Sequence, residues 1–281
     1  MREFDYFAPS TCEEASRLLL EHERALPLAG GTDIVVALNN GKIDPSLLVD
    51  LRHLSGLSTI TETEESVEIG ALVSMSTITE SALLSSFYPA LTIAASQMGC
   101  WQVRNLATVG GNLCNASPSA DTLPPLLLYG AHVVTHGPLG RRVLALEEFL
   151  AGPGTTSLST GEILVSVRIP KPLPQLESTY VRRQIRRSMD IPLVNVALGV
   201  VREGTVVREA RICLGAVAPV PYRAKQAEAA LLGRQLDAKT IAHAAALASE
   251  SAHAITDIRS SASYRTEMVR VFVRRALEAL N

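Results

Sequence analysis

Apolar positions along the chain switch between a helical and an alternating period, and each switch marks an element. Phe4 and Tyr6 alternate with Asp5 ahead of Pro9, which predicts a short strand. Ala15, Leu18 and Leu19 then recur at helical spacing behind Thr11 and Glu14, a capping-box pair that opens a helix running to about Glu23. A strand over 25–28, a helix ending by Asn39-Asn40-Gly41 and a strand over Leu47–Leu51 complete a small α/β subdomain that closes near Leu57. From Ser58 the pattern predicts a strand at Val67–Ala71, helices over 77–86 and 89–98, and an apolar helix from Thr122 to Tyr129 opened by Pro124-Pro125. A hairpin of Ala131–Thr135 with Arg141–Leu146 and a strand from Glu162 to Ile169 follow, stopped by Pro170.

Pro170-Lys171-Pro172-Leu173-Pro174 marks the domain boundary, dividing the chain into 1–170, with subdomains 1–57 and 58–170, and 171–281. The second domain opens with strand-like runs at 177–187, 193–202 and 205–217, an antiparallel meander, and closes with three helices. The last, over 262–280, sets Val269, Phe272, Val273, Ala276, Leu277 and Leu280 on one face and reads as a core-packing element without chemistry. The fold class is therefore α+β, with a three-stranded antiparallel sheet on three helices in the second domain.

Two glycine pairs interrupt this framework. In Leu28-Ala29-Gly30-Gly31-Thr32-Asp33 a strand runs into the pair, and Thr32 or Asp33 is placed to cap the helix behind it. In Thr108-Val109-Gly110-Gly111-Asn112 the second pair is followed by Asn115, Ser117, Ser119 and Asp121, which read as a loop of short hydrogen-bonding side chains. Adjacent glycines remove β-carbons and allow backbone N–H groups to approach an anion. Neither segment has the spacing of a P-loop or of a Gly-x-Gly-x-x-Gly dinucleotide turn. The pattern predicts a diphosphate held between two unlike segments. Asp121 has two roles open to it, helix cap and ligand contact.

Composition narrows the chemistry. The formal net charge is −2, so the chain lacks the basic footprint of a nucleic-acid binder. Charged residues are 19%, below the roughly 25% of average soluble domains, which leaves apolar surface for other subunits to cover. Cys12, Cys100, Cys114 and Cys213 are dispersed, and the six histidines share no metal-ligand spacing. There is no Gly-x-Ser-x-Gly elbow, so hard chemistry would have to come from a cofactor. No apolar run approaches the ~18 residues of a membrane span, and a cytoplasmic protein without membrane insertion is expected.

"AGGTD" (29–33), "ATVGGN" (107–112) and "SPSAD" (117–121) resemble the FAD-binding medium subunit of the molybdenum hydroxylases, the xanthine dehydrogenase and carbon monoxide dehydrogenase family. "GEIL" (161–164), "RRSMDIPLVNVA" (186–197), "LGAVAPVPYRAKQAE" (214–228) and "DIRSSASYRTEMVRVFVRRAL" (257–277) extend the likeness, in order, over nearly the whole chain. The resemblance implies a PCMH-type FAD-binding domain with dissociable, non-covalent FAD. It places the pyrophosphate on Leu28, Ala29, Gly30, Gly31, Thr32 and Asp33 and on Thr108, Gly110, Gly111 and Asn112. Asn115, Ser117 and Asp121 match positions near the ribityl and diphosphate, Leu164 an adenine contact, and Arg182 a position near the flavin. The adenine-stacking position falls on Met98, with Trp101 close by, and the cysteine-bearing insertion of the hydroxybenzoyl-CoA reductase branch is absent.

The implied function is electron transfer from the [2Fe–2S] clusters of a small subunit, through FAD, to NAD, a quinone or oxygen. A molybdopterin-containing large subunit would complete a heterotrimer. Two other functions stay open at this point: a stand-alone FAD-dependent NAD(P)H oxidoreductase, and a non-catalytic nucleotide-binding protein.

Overall fold

The structure, a computed structural model, describes residues 3–186 and 188–281. The first subdomain runs β1 (Asp5–Phe7), α1 (Cys12–Glu21), β2 (Ala25–Leu28), α2 (Ile34–Asn39) and β3 (Leu47–Asp50), with β3 central in a parallel sheet. Thr11 caps α1 by accepting from the Glu14 N–H at 3.1 Å. The Glu14 carboxylate turns back to the Ser10 N–H at 2.8 Å, one residue before the capping-box position. Asp33 stands at the N-cap of α2 without a side-chain capping bond, so the predicted cap by Thr32 or Asp33 is not made.

The second subdomain continues with β4 (Ile60–Glu62), β5 (Ser66–Gly70), α3 (Met75–Glu80), α4 (Ala82–Phe87), α5 (Pro89–Gln97), α6 (Trp101–Leu106), α7 (Val109–Asn115) and α8 (Leu123–Leu128). The hairpin β6 (His132–Gly137) and β7 (Gly140–Ala145), then α9 (Leu146–Phe149), β8 (Leu150–Gly152), β9 (Thr155–Thr156) and β10 (Ile163–Pro170) complete it. The helix predicted over 77–86 is two helices, because the Ser81 hydroxyl accepts from the Leu84 N–H and restarts the chain as α4. Five antiparallel strands pair in the order β4-β5-β10-β6-β7. Both faces of β10 are covered. Ile163 and Val165 pack with Val49 and Leu51 of the first subdomain, and Leu164, Val167 and Ile169 pack with the helices on the other side. Burial on both faces explains the continuous apolar run in that strand.

The "GEIL" segment has a structural role in this strand. Gly161 sits at φ +79°, and the Glu162 carboxylate collects Arg142 Nε and Nη2 at 2.5 and 2.6 Å, the Ser159 N–H at 2.9 Å and the Thr135 hydroxyl. Leu164, matched above to an adenine contact, is only 4% exposed in the core and offers little surface to any ligand.

The second domain comprises β11 (Glu177–Arg183), β12 (Val194–Glu203), β13 (Val206–Gly215), β14 (Tyr222–Arg223), α10 (Lys225–Leu231), α11 (Ala238–Glu250) and α12 (Ala262–Ala279). Its sheet has four strands, not three: β14 pairs two residues with Cys213 and Leu214, too short a run to leave an alternating signal. Val194, Val196, Leu198 and Val200 face the helices, whereas Asn195, Ala197 and Gly199 face the first domain. Small residues there let the sheet close on α8: a β-carbon on Gly199 would stand 3.2 Å from Leu128.

Arg265 revises the reading of α12 as a purely apolar packer. Its side chain is 2% exposed and donates to the Leu193 and Ala216 carbonyls at 3.0 and 3.3 Å and to Asp257 at 2.8 Å. It ties the helix to one end of the sheet, where β12 begins and β13 ends, and to the segment before the helix.

Glu162 gives the fold a pH dependence. Burial alone would raise its carboxyl, but the bonds from Arg142, Thr135 and Ser159 outweigh that and bring it from 4.5 down to about 2. A carboxyl depressed on folding stabilises fully above its unfolded value and loses that stabilisation as pH falls toward 2. Glu162→Gln should therefore cost about 2 kcal/mol at neutral pH and flatten the decline in unfolding free energy between pH 4.5 and 2, measured by urea titration.

Candidate functional site

The two glycine segments meet, and they meet through glycine. A β-carbon on Gly30 would lie 1.9 Å from the Leu106 carbonyl oxygen, so the first segment can rest on the second only because that atom is missing. Gly31 follows at φ +77°, turning the chain from β2 into α2. At the far side Asn115, the last residue of α7, donates to the Asp33 carboxylate at 3.4 Å across 82 positions of sequence. Burial raises the Asp33 carboxyl above its ordinary value, with the Thr32 side chain opposing.

The second glycine pair is not a loop, as its composition suggests, but the first turn of α7. Thr108 is the N-cap, its hydroxyl accepting from the Gly111 N–H at 3.0 Å. The Val109 and Gly110 N–H groups donate to the Val73 and Ala71 carbonyls at 3.0 and 2.8 Å. Gly110 backs onto Ala71 so closely that a β-carbon would stand 2.7 Å from Ala71 Cβ. The pair therefore serves close packing on the strand exit at Gly70-Ala71, and the opening N–H groups of α7 are already spent.

The free donors lie in the other segment. The N–H groups of Gly30, Gly31, Thr32 and Asp33 have no acceptor among the described residues, and Gly30, Gly31 and Thr32 are only half-buried. Successive unpaired N–H groups around a left-handed glycine form a site for an anion. Leu28 and Ala29 lead into this row, and Thr108 to Asn112 and Asn115 flank it. Asn112 reaches Met98 Sδ at 3.9 Å and accepts from Thr122 Oγ1 at 2.6 Å, which sets Met98 against α7. Trp101, by contrast, is 59% exposed.

Ser117 to Asp121 carry the chain from α7 to α8 and touch the second domain on the way. Ser117 closes its own turn, accepting from the Ser119 N–H at 3.3 Å. Asp121 does not cap α8, whose N-cap is Thr122. Asp121 is 4% exposed and accepts from Tyr180 Oη at 2.5 Å and from Arg182 Nη1 at 2.9 Å to each oxygen. Burial pushes the Asp121 carboxyl up, while the charge of Arg182 and the bonds from Tyr180 and Arg182 pull it back. Tyr180 and Arg182 share one face of β11, and Asn195 beside them donates to the Ala120 carbonyl at 3.2 Å. Sequence reasoning found Asp121 and Arg182 but not Tyr180 or Asn195. The alternation along β11 was the available signal.

Arg182 also forms one wall of a cleft of about 330 Å³, which Gly99, Cys100, Trp101 and Arg104 close from one side and Gln184 and Ser188 from the other. The Met189 N–H donates to the Gly99 carbonyl at 3.1 Å. Asp190 accepts from the N–H groups of Ile185, Arg186 and Ile191, and the Arg186 N–H first among these bonds holds its carboxyl low.

Comparison with known proteins gives this geometry its setting. Residues 2–172 match the family described as the FAD binding domain in molybdopterin dehydrogenase, and residues 179–280 match the carbon monoxide dehydrogenase flavoprotein C-terminal domain. The chain belongs to the FAD-binding subunits of the molybdenum hydroxylases. It is 30% identical to the xanthine dehydrogenase FAD-binding subunit of Escherichia coli O157:H7 over 97% of this chain and 94% of that one. It is 32% identical to the carbon monoxide dehydrogenase medium chain of Afipia carboxidovorans over 98% of this chain and 96% of that one. Its structure superposes on carbon monoxide dehydrogenase from Hydrogenophaga pseudoflava with a TM-score of 0.95 at 31% identity, covering 99% and 97% of the two chains.

As a member of this family the chain is an oxidoreductase flavoprotein subunit, and FAD is its cofactor. The residues fit an anionic dinucleotide: the row of unpaired donors suits a diphosphate, and the neighbouring hydroxyl and amide groups suit its sugars. Among the described residues no group of three or more His, Cys, Asp or Glu could hold a metal ion, and no helix is long and apolar enough to cross a membrane.

The contact at Gly30 is testable without ligand. Gly30→Ala, forced into the Leu106 carbonyl, should lose about 1–3 kcal/mol in thermal or urea unfolding. Gly152→Ala, where an added β-carbon meets nothing within 4 Å, should stay within about 0.5 kcal/mol of the parent.

Proposed function

We propose that this chain is the electron-transfer subunit of a cytoplasmic heterotrimeric molybdenum hydroxylase. Its electrons come from [2Fe–2S] clusters on a small subunit and go to an acceptor such as NAD, a quinone or oxygen. A molybdopterin-containing large subunit carries out the hydroxylation. The carrying observation is the row of unpaired N–H groups from Gly30 to Asp33, held beside α7 by the Gly30 contact and the Asn115 bond.

In this reading Gly30, Gly31, Thr32 and Asp33 take the diphosphate, entered by Leu28 and Ala29. Thr108, Gly110, Gly111 and Asn112 form the opposing wall. Asn115 and Ser117 stand toward the ribityl and ribose hydroxyls. Asp121 acts through Arg182, which lines the cleft where the isoalloxazine is placed. Bound FAD supplies the ability to accept electrons one at a time from a cluster and pass on a pair. The chain's own part is to hold the diphosphate, to exclude water with Met98 and Leu28, and to keep a positive charge at the cleft wall.

Three observations favour partners over a self-sufficient enzyme. The four cysteines are separate free thiols, Cys213 buried and the others partly so, in no cluster-binding arrangement. The Afipia relative is itself named a medium chain. Broad apolar exposure at Trp101, Leu106, Ile185 and Met189 near the cleft leaves surface for another chain.

Purified chain should show flavin absorbance that survives desalting after FAD addition and bleaches with dithionite. Bleaching of the loaded chain should also follow addition of a reduced cluster-bearing subunit. No flavin uptake would remove the assignment. Failure of a reduced cluster-bearing subunit to bleach the chain, with steady NADH oxidation by the chain alone, would favour the stand-alone NAD(P)H oxidoreductase.

Asp121→Asn tests the junction. It leaves the Arg182 guanidinium buried with a neutral partner, and the loss of a buried pair member costs about 3–5 kcal/mol. Unfolding should occur at lower urea, with the second domain's contact to α8 loosened first by hydrogen exchange.

A further inference from the structure

Thr122 carries a hydroxyl with no capping work to do. It stands at the N-cap of α8, where a threonine side chain ordinarily accepts from the N–H of the second or third helical residue. Those residues are Pro124 and Pro125, which have no N–H, and no side-chain capping bond forms. The hydroxyl, on a residue with no exposed surface, donates instead to Asn112 Oδ1 on α7 at 2.6 Å. Asn112 is itself partly exposed. It shares a face of α7 with Asn115, three residues on, whose amide reaches Asp33 in the first glycine segment.

With its oxygen taken by Thr122, Asn112 turns its Nδ2 the other way. A hydroxyl would serve either end of an amide, but the neighbour on the far side is Met98 Sδ, 3.9 Å from Nδ2, and a thioether only accepts. The two neighbours together fix which end faces out. Nδ2 carries two N–H bonds, of which the thioether takes one weakly, and the other has no acceptor among the described residues. The row from Gly30 to Asp33 also offers unpaired N–H groups, so an acceptor-rich ligand between the two segments meets donors from both. We infer that Thr122 is a positioning residue for the cofactor: acting through Asn112, it holds an amide donor toward the oxygen-rich part of FAD. This rests on the FAD reading above. Thr122, buried behind α7, touches no ligand itself.

Thr122→Val keeps the shape of the side chain and removes its hydroxyl. In the full-length chain, stripped of flavin, this variant should bind FAD about tenfold more weakly by fluorescence titration, because the freed amide no longer holds its donor outward. Thr122→Ser, which keeps the hydroxyl, should stay within about twofold of the parent. In an Asn112→Ala background Thr122→Val should change the affinity by less than about twofold, because the group through which it acts is gone. A purely structural role would weaken binding equally in both backgrounds. Unchanged affinity in Thr122→Val, or the same loss with and without Asn112, would overturn the inference while leaving FAD binding itself in place. Side-chain amide NMR on the parent needs no substitution: the Asn112 Nδ2 protons should shift and exchange more slowly once FAD binds, and signals indifferent to FAD would overturn the inference as well. A parent chain that takes up no FAD would overturn the FAD reading and this inference with it.

Discussion

The contact of Gly30 with the backbone at Leu106 is the constraint on which the rest of the site depends. No residue with a β-carbon fits there, because the added atom would overlap a carbonyl oxygen at 1.9 Å. Through that contact the parallel sheet of the first subdomain is set against the helical layer of the second. The end of β2 and the start of α7 then become neighbours, although just over eighty positions separate them in sequence. Gly70 and Gly110 repeat the device beneath, each facing a backbone carbonyl where a β-carbon would stand 2.2 or 2.7 Å away. Three glycines thus remove three obstacles to close approach, and only Gly31 uses the left-handed freedom for which a glycine pair is usually read.

The second domain is attached to this cradle by charge instead of by apolar surface alone. Asp121, at the end of the segment leaving α7, reaches Tyr180 and Arg182 on the first strand of the meander, and the neighbouring Asn195 bonds back to Ala120. An ion pair this deeply buried adds little net stability compared with an apolar pair of the same shape, but it fixes geometry, since either partner alone would be stranded. It holds one arginine at a set place on the cleft wall, where a cofactor's charge and hydrogen-bonding pattern are felt.

Much of this was legible in the sequence. The strands and helices with strong periodicity, the cap at Thr11, the hairpin around Gly137–Gly140 and the three closing helices all stand where apolar spacing placed them. What escaped was set by contacts remote in sequence. The α7 helix looks like a loop because glycine and asparagine are poor helix formers, and only the Thr108 cap and the support of Ala71 and Val73 make it form. Arg265 looks like a solvent-facing residue on an amphipathic helix, and its burial follows from carbonyls at Leu193 and Ala216 that no local pattern announces. Leu164, matched by likeness to a ligand contact, stands in a strand buried on both faces. The glycine segments were legible as a pair, but which of them holds the free donors was not, because that depends on what each N–H already bonds.

The most direct test of the cradle is amide hydrogen exchange, read residue by residue, on the chain with and without FAD. The N–H groups of Gly30, Gly31, Thr32 and Asp33 have no protein acceptor among the described residues, so they should exchange rapidly in the free chain and slow markedly when FAD is bound. Those of Val109, Gly110 and Gly111, already bonded, should be protected in both states. FAD binding that leaves the first segment's exchange unchanged would contradict the account and place the diphosphate elsewhere.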